Sequence, residues 1–437
     1  LKLKIINMTK SLSSQQKIII LLCIIISALF CTFYQLHQLP HYDQAQMYDR
    51  GLVAVFEDVF IPHGNEASTT SNVPGSISSI VVGLPLKIAY TMWAPLLTLT
   101  LIKMLSGLIF LDAVSKLYSS KTVVIAALIY FLNPWFLFES IVYNPSYLAL
   151  GATLVLNCLV RLRVNANDGI CPSAKTRFIA TALAVVGIGW CLEFHFSWPV
   201  LLAICGILWL KKSIKISYFG LAFGIVLVLL SLIPYFIEVL NVGFVDTSPA
   251  AYKSERYLGY GFVHVYPLFK AILYWIRLGS LSMTHKILLP DPSLYPVIGI
   301  AYNIVANVIG GLTAAAVAYF NYKVIFKFKG KESTFGRELV IAGLLATLIA
   351  AGMATLVLNY WQIIIVWCFT LIPVLEMVER SKNINKYIVS ALVIFALVLN
   401  IQASLDSEKY RFDAPNMEKQ LYDYCIDRYD EQKCSLK

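Results

Sequence analysis

The stretch His41-Tyr-Asp-Gln-Ala-Gln-Met-Tyr-Asp-Arg50, with the residues that follow it to His63, is a polar exception in an apolar chain. It comes directly after the apolar segment 18–36, which has about the ~20 residues that a helix needs to cross a bilayer. Its ionisable side chains are Asp43, Asp49, Glu57, Asp58 and His63. The chain as a whole is 58% hydrophobic and only 14% charged. A loop that concentrates carboxylates in such a chain is therefore where chemistry is expected.

The hydropathy of the whole chain predicts an all-α polytopic membrane protein. The 437 residues have a mean hydropathy of +0.71, and backbone polar groups in hydrocarbon must be bonded internally, which favours helices. The first span lacks a small-residue cleavage site before the polar loop, so it is expected to remain as an uncleaved anchor. We expect a bundle of about 11 transmembrane helices, at 18–36, 94–114, 122–139, 145–163, 177–195, 198–210, 216–238, 295–322, 338–358, 361–378 and 387–403.

The chain has a net charge of +10, and the positions of its basic residues indicate how the spans are oriented in the membrane. Basic residues collect at the N-terminus and in alternate connections between the predicted spans, for example at Lys211, Lys212 and Lys215. Short loops rich in Lys and Arg stay in the cytoplasm. The distribution therefore predicts a cytoplasmic N-terminus and an external carboxylate loop, and it makes nucleic acid an unexpected partner.

Two cysteines are candidates for a disulfide. Cys425 and Cys434 lie in the tail after the last predicted span, on the side that we take to be external. Disulfides persist in oxidising compartments, so a bridge between them is expected.

The chain divides into a transmembrane catalytic domain, 1–403, and an external C-terminal tail, 404–437, expected to be a small helical appendage. The first outer loop, 37–93, contains an amphipathic helix predicted at 44–60 and a second helix that begins near Ile77, with Ser76 as its expected cap. The second long outer loop is 239–290, and its segment 268–283 is apolar enough to lie on the membrane.

Several polar residues have structural explanations that stay open at this point. Asp43 followed by Gln46 is typical of a helix N-cap with a capping box. Lys103 lies deep in the second span, where its stem could reach the interface, although charge inside a membrane indicates function by default. Hydration at the inner span ends is a sufficient explanation for Asp112 and Glu376. Other residues also have structural explanations. In these, Glu57 and Asp58 are solvated, His195 lies at the membrane interface, Lys87 binds lipid headgroups, and Asn144-Pro145-Ser146 is a turn that starts a helix.

Short motifs in this layout resemble the GT-C class of membrane glycosyltransferases. They are the early loop motif His41-Tyr-Asp43-Gln-Ala-Gln-Met-Tyr, the run Val73-Pro-Gly-Ser-Ile-Ser-Ser-Ile-Val-Val-Gly-Leu-Pro85, and the motifs Tyr143-Asn-Pro-Ser-Tyr147, Glu193-Phe-His-Phe-Ser197 and Asn359-Tyr-Trp-Gln362. The similarity is to the bacterial group that includes protein O-mannosyltransferases and the transferase that adds aminoarabinose to lipid A.

The resemblance implies transfer of a sugar from a polyprenyl-phosphate-linked donor to a glycan, lipid or protein acceptor. The family's first-loop carboxylate matches Asp43, which would act as general base on the acceptor hydroxyl. Many relatives carry a second acidic residue where this chain has Gln44, so no bound metal and no other cofactor is expected. The location implied is the bacterial inner membrane, with the active site facing the periplasm or exterior. The motifs that carry the resemblance contain the candidate substrate-binding residues Asn144, Glu193, His195, Tyr360 and Gln362. Position at the outer face alone adds Glu57, Lys87, Arg256 and Arg277 as candidates.

Two other classes of function remain open. A transporter or flippase of lipid-linked sugars typically has a midplane site, broken helices and internal repeats; this chain has Lys103 and no repeat. A polymerase or ligase that joins lipid-linked glycans shares the external chemistry.

Overall fold

The fold is known from a computed structural model. It describes residues 12–36, 42–66, 72–164, 171–243, 265–282, 296–328, 334–354, 358–383, 385–405 and 417–435. Arg256 lies outside these ranges, as do His41 and most of the second long outer loop.

Helices make up nearly all the regular structure of the described residues, and their bounds follow in chain order. They are α1 (Ser14–Leu36), α2 (Tyr42–Phe56), α3 (Ile77–Ile88), α4 (Trp93–Val114), α5 (Ser120–Phe131), α6 (Pro134–Phe138), α7 (Leu148–Leu162), α8 (Ala174–Leu192), α9 (Pro199–Leu210), α10 (Tyr218–Ser231), α11 (Ile233–Val242), α12 (Val265–Leu278), α13 (Pro296–Tyr322), α14 (Phe335–Gly352), α15 (Tyr360–Ile363), α16 (Trp367–Thr370), α17 (Ile372–Arg380), α18 (Lys386–Leu405), α19 (Met417–Ile426) and α20 (Glu431–Ser435). Single 3-10 turns at Asn144–Tyr147 and Ile364–Val366 and a π turn at Lys323–Lys327 join some of them.

Eight helical segments in the described ranges are long and apolar enough to cross a membrane. The pair α10 and α11, which meet at 50°, adds a ninth if they form one bent span. The two remaining predicted segments coincide with the 12-residue apolar helices α5 and α9. The chain is thus a multi-pass helical membrane protein, as predicted, and the number of eleven spans stays a prediction.

The third predicted span, 122–139, is broken where the sequence contains Asn133-Pro134. Helix α5 ends at Phe131, and the Asn133 side chain accepts the Trp135 N–H at 2.9 Å to cap the short helix α6. Proline has no N–H, and the first turn of a helix is where that loss has no consequence.

Lys103 has a structural explanation in this break. Its side chain is only 1% exposed, and its ammonium donates to the carbonyls of Phe136, at 2.5 Å, and Glu139. These carbonyls belong to the C-terminal end of α6, where a helix leaves acceptors without partners. The buried Lys103 ammonium donates hydrogen bonds to these carbonyls. Its position is therefore explained without a functional role.

The helix ends that carry Lys116, Arg161, Lys211 and Arg337 form one end of the bundle, which we call the basic end. Asp112 pairs with both Lys116 and Arg161, and Glu338 pairs with Lys211 and Arg337. Glu376 also lies at the basic end, and the prediction that hydration explains its charge is wrong, because the residue is only 1% exposed. It accepts hydrogen bonds from Tyr118 and Thr334 and lies 3.4 Å from Arg380.

The opposite end, which we call the loop end, carries α2, α3, α19 and a small antiparallel hairpin. The hairpin pairs β1 (His63–Glu66) with β2 (Asn72–Pro74). Helices α2 and α3 pack closely because two glycines remove side chains from the contact: a Cβ at Gly51 would lie 2.6 Å from Val82, and one at Gly83 would lie 2.6 Å from Ala54. The predicted helix at 44–60 is therefore real but begins at Tyr42 and ends at Phe56.

The C-terminal tail packs on α2, so the first outer loop and the tail lie on the same side, as predicted. Its helices α19 and α20 are joined by a disulfide between Cys425 and Cys434, with a Cα–Cα distance of 5.9 Å. The predicted bridge is confirmed. Tyr424 stacks on Tyr48 of α2 with ring centroids 5.5 Å apart, and this contact ties the last described segment to the first loop.

Candidate functional site

Asp43 lies in the first turn of α2 and is half-buried. The predicted capping box is wrong, because the helix already begins at Tyr42 and the Gln46 side chain is used elsewhere. Gln46 Oε1 accepts the N–H of Glu66 at 2.9 Å, and the backbone carbonyl of Asp43 accepts Asn65 Nδ2 at 2.7 Å. Contacts with strand β1 thereby hold the start of the helix.

Arg50 was not among the predicted site residues, although its spacing points to it. Residues 43, 46 and 50 recur at intervals of three and four, which places them on one face of a helix. Arg50 is buried and donates to the Gln46 carbonyl at 2.9 Å. A buried guanidinium on the face that carries Asp43 adds positive charge to this part of the loop end.

The 3-10 turn Asn144–Tyr147 contacts α2 and carries three buried polar atoms. Asn144 is 6% exposed, Ser146 1% and Tyr147 0%. Within the part of the chain that the structure describes, Asn144 Oδ1, Ser146 Oγ and the Tyr147 hydroxyl have no hydrogen-bond partner. An unsatisfied buried polar group costs about 1–3 kcal/mol, so three together are suited to a ligand that supplies the missing bonds. Of the three residues, only Asn144 was predicted from the sequence to bind substrate.

Glu193 holds the start of α3 in place. Its carboxylate accepts the Ile77 N–H at 3.3 Å and the Ser231 hydroxyl at 2.7 Å. The expected cap, Ser76, makes no such side-chain bond, so that prediction is wrong. Burial raises the pKa of Glu193, and the bonds from Ser231 and the backbone oppose this rise. Gly75 (φ +94°) makes the close approach possible, because a Cβ there would collide with the Glu193 carboxylate.

His195 and Gln362, two predicted substrate-binding residues, line one groove of 450 Å³ between α9 and α14. The remainder of its wall is mostly apolar and includes Val200, Ala203, Ala350 and Met353. His195 Nδ1 accepts the Ser197 N–H at 3.1 Å, which leaves the proton of a neutral ring on Nε2. Burial lowers the pKa of His195 to about 4, so the ring is neutral at pH 7.

Gln362 also has a structural task at the mouth of this groove. Its Oε1 accepts the Asn359 N–H at 2.7 Å and completes a capping box at the start of α15. The capping chemistry expected at Asp43 thus occurs here instead.

Tyr274 contacts Tyr360 and lies one helical turn before Arg277 on α12. Tyr360 is buried among Trp135, Phe138 and Tyr274, whose ring centroids lie 5.6, 5.2 and 6.4 Å from its own. Arg277 is half-buried one helical turn beyond Tyr274, and among the described residues no acceptor or carboxylate pairs with its guanidinium. An unpaired cation at an aromatic wall is suited to an anionic ligand group.

Glu57 and Lys87 are engaged at the surface of the loop end, away from these groups. The Tyr429 hydroxyl donates to Glu57 Oε1 at 2.6 Å, and Lys87 pairs with the exposed Asp58. Lys87 lowers the pKa of Asp58. The structure therefore gives both residues structural contacts and leaves their predicted role in substrate binding as a hypothesis.

The arrangement of helices resembles a solved glycosyltransferase. ArnT from Cupriavidus metallidurans in the apo state superposes with a TM-score of 0.55 at 11% identity, over 86% of this chain and 62% of that chain. This chain thus spans less than two thirds of the length of that protein. ArnT is a GT-C enzyme, so the chain has a GT-C-like fold, as the sequence predicted.

Two further solved structures are similar at lower scores. They are ArnT from Cupriavidus metallidurans bound to undecaprenyl phosphate (TM-score 0.43, 11% identity, 83% of this chain and 77% of that chain) and the oligosaccharyltransferase from Archaeoglobus fulgidus in the apo form (TM-score 0.41, 12% identity, 94% and 58%). No protein-family model matches the chain, and no curated protein matches it in sequence.

Proposed function

We propose that the protein is a membrane glycosyltransferase that moves a sugar from a polyprenyl-phosphate-linked donor to a glycan, lipid or protein acceptor. The observation that carries the proposal is the position of Asp43: within a GT-C-like fold, it lies in the first turn of the loop-end helix that contacts the unsatisfied polar turn Asn144–Tyr147. A carboxylate and three buried hydrogen-bonding atoms are the groups that recognition and activation of hydroxyls require.

The proposed reaction is one displacement at the anomeric carbon. Asp43 accepts the proton of the acceptor hydroxyl, the acceptor oxygen forms a bond to the anomeric carbon, and the bond from that carbon to the phosphate oxygen breaks. The lipid phosphate leaves with the electron pair, and the configuration at the anomeric carbon inverts. General-base assistance of this kind contributes about 10²–10⁴-fold to a rate.

The groove between α9 and α14 supports a lipid-linked donor. Its wall is apolar along most of its length, as an isoprenoid chain requires, and His195, Ser197 and Gln362 make one part polar. The neutral His195 presents an N–H donor to a phosphate oxygen. Arg277 and Arg256 are the proposed sources of positive charge for the leaving phosphate; Arg256 rests on its position in the sequence alone.

The proposed side of the reaction is the exterior of the bacterial inner membrane. The loop end carries Asp43 together with a disulfide, which is typical of an oxidising compartment. The basic end carries the paired lysines and arginines, as cytoplasmic ends do. The disulfide and the paired cations thus lie at opposite ends of one bundle. This arrangement supports a cytoplasmic N-terminus, a transmembrane catalytic domain 1–403 and an external tail 404–437.

The bent pair α10 and α11 is a feature that transporters also have. Its break follows Ser231, and Ser231 bonds to Glu193, the residue directly after α8. The break therefore lies at the level where α8 ends, whereas transporters bind their cargo near the bilayer midplane. Pro234 in the first turn of α11 accounts for the bend. This position favours the enzyme over the flippase.

The test is transfer of a radiolabelled sugar from a polyprenyl-phosphate donor by the purified protein. We expect Asp43→Asn to reduce transfer at least a hundredfold while donor binding is retained. The matched control is Asp58→Asn, which removes an exposed carboxylate from the same loop and should leave transfer intact. Near-normal turnover by Asp43→Asn would refute the assignment, and translocation of the donor without transfer would instead favour the flippase.

A further inference from the structure

A second pocket lies at the basic end, between the starts of α8 and α10 and the end of α9. It has a volume of 670 Å³. The residues on which the argument depends are the cations Arg177, Lys212 and Lys215 and the aromatics Trp209, Tyr218 and Phe219. Arg177 is 15 residues before Leu192 on α8, and a helix rises about 1.5 Å per residue. The pocket is therefore roughly 20 Å from the groove that contains His195 and is separate from it.

Among the residues that the structure describes, the three cations have no counter-charge. No described Asp or Glu lines the pocket, and none of the three side chains forms an ion pair with another described residue. Arg177 Nε is buried without a hydrogen-bond partner. Their neighbour Lys211 behaves differently, because it pairs with Glu338. Like charges held together in a concave site repel one another, so an anion that enters the pocket is stabilised by all three.

Lys212 occupies a backbone position that favours glycine. Its φ is +58°. Two hydrogen bonds end α9 here: the Lys212 N–H donates to the Trp209 carbonyl and the Ser213 N–H donates to the Leu208 carbonyl, both at 2.9 Å. This is the Schellman arrangement, in which the left-handed residue is usually Gly. A lysine at this position is tolerated against a conformational preference, and strained residues of this kind cluster at functional sites.

The walls of the pocket are fixed by hydrogen bonds. The Val164 N–H donates to Ser213 O and the Lys215 N–H to Leu162 O, both at 2.9 Å. The Ser217 N–H donates to Thr181 Oγ1 at 3.1 Å, and Ser217 caps α10 through the Gly220 N–H. The loop that carries two of the cations is thus bound to both α7 and α8, which makes the pocket a preformed site.

The surroundings of the pocket indicate the kind of anion. Tyr218 is 70% exposed, Phe219 84% and Leu210 72%, and all three lie at the ends of the apolar helices α9 and α10. Aromatic residues at this level lie among lipid headgroups, and basic pockets between helices on the cytoplasmic side bind anionic headgroups. A soluble phosphate would not need the apolar rim.

We propose that this pocket binds an anionic phospholipid of the cytoplasmic leaflet. The phosphate accepts hydrogen bonds from the Arg177 guanidinium and the Lys212 and Lys215 ammonium groups, and the acyl chains lie against Tyr218, Phe219 and the outer face of α10. The choice of the cytoplasmic leaflet rests on the orientation given under the proposed function, whereas the binding of an anionic lipid does not depend on the glycosyltransferase activity.

The experiment measures lipid binding by the full-length purified protein, with native mass spectrometry after exchange into detergent that contains phosphatidylglycerol, cardiolipin or phosphatidylcholine. We expect retention of phosphatidylglycerol and cardiolipin over phosphatidylcholine, and at least a tenfold loss in Arg177→Gln/Lys215→Gln. The matched control, Lys382→Gln, removes an exposed cation elsewhere on the chain and should retain both anionic lipids.

Lys212→Gly separates binding from folding. Glycine suits the left-handed position, so the variant should unfold at the same or a higher temperature in phosphatidylcholine while it binds anionic lipid more weakly. Equal retention by wild type and all pocket variants would overturn the proposal. Inorganic phosphate that displaces the lipid at equal concentration would also overturn it, because the site would then recognise a soluble anion.

Discussion

Arg428 Nη1 lies 2.8 Å from both carboxylate oxygens of Asp49, across a sequence separation of 379 residues. The contact joins the tail to the middle of α2, two turns after Asp43. With the Tyr429–Glu57 hydrogen bond and the Tyr48–Tyr424 stack, it makes the tail a support for the helix that carries the proposed base.

We expect the disulfide to contribute more to this support than the ion pair. A half-exposed pair such as Asp49–Arg428 is worth about 0–1 kcal/mol, whereas a disulfide typically contributes about 2–4 kcal/mol. Cys425→Ser/Cys434→Ser should therefore make the tail sensitive to trypsin and lower sugar transfer, and Arg428→Gln should do so weakly. Limited proteolysis followed by the transfer assay measures both effects. Full activity after the tail is cleaved would show that α2 does not need it.

Ser146→Ala and Tyr147→Phe should separate binding from stability. Each removes a buried polar atom that has no partner in the described structure, so thermal unfolding should occur at the same or a higher temperature. If those atoms bind the substrate, transfer should fall about tenfold or more. Thr153→Val is the matched control, because its hydroxyl already bonds to the Ala149 carbonyl. Unchanged transfer in both variants would remove the turn from the proposed site.

His195 gives the stability a dependence on pH with a definite sign. Burial lowers its pKa from 6.5 to about 4, so the unfolded chain binds a proton before the folded protein does. The stabilising contribution is complete above pH 6.5 and is lost as the pH falls towards 4. Thermal unfolding between pH 7.5 and 4.5 should show a steeper decline for wild type than for His195→Asn. Parallel curves would show that the ring is not held neutral.

Tyr429 gives the stability a pH dependence of the opposite sign, at alkaline pH. Burial and the bond to Glu57 raise its pKa from 10 to about 12. The contribution of the folded hydroxyl is complete below pH 10 and is lost as the pH rises towards 12. We expect release of the tail over this range in wild type, and a weaker dependence in Tyr429→Phe. Accessibility of Arg428 to trypsin after a brief pulse at each pH is the measurement.

A bulky side chain in the groove should block the lipid donor. Ala350→Trp fills part of the space between α9 and α14, so donor binding should fall at least tenfold. Leu345→Trp is the matched control, because residue 345 is 45% exposed on the same helix and does not line the groove. Binding that survives Ala350→Trp would place the isoprenoid chain elsewhere.

The sequence predicted the positions of the apolar helices well because hydropathy is a local property. Each of the eleven segments became one or more helices. Two breaks lie beside Pro134 and Pro234, which lack a backbone donor, and the segment 361–378 is interrupted by the 3-10 turn Ile364–Val366. Segment ends were less accurate, since the 44–60 helix begins at Tyr42 and ends at Phe56. There, strand β1 decides the boundary, and pairing with β1 is not visible in the helical pattern.

Long-range polar contacts could not be predicted from local pattern. Ser76 had the right residue type for a cap, but the carboxylate that bonds to Ile77 is 116 residues away at Glu193. Gln46 likewise bonds to Glu66, 20 residues away, instead of to the start of its own helix. His195 and Gln362 were both named as substrate-binding, yet only the packing of α9 against α14 reveals that they share a groove.

The contact between the tail and α2 also sets an order of events during synthesis. Residues leave the ribosome at about 5–20 per second, so the 379 residues between Asp49 and Arg428 take roughly 20 to 75 seconds to follow. During that interval the helix with Asp43 has been synthesised but lacks its contact with the tail. The support of α2 by the tail is therefore added late in synthesis, and a chain that stops before Arg428 would carry α2 without this ion pair.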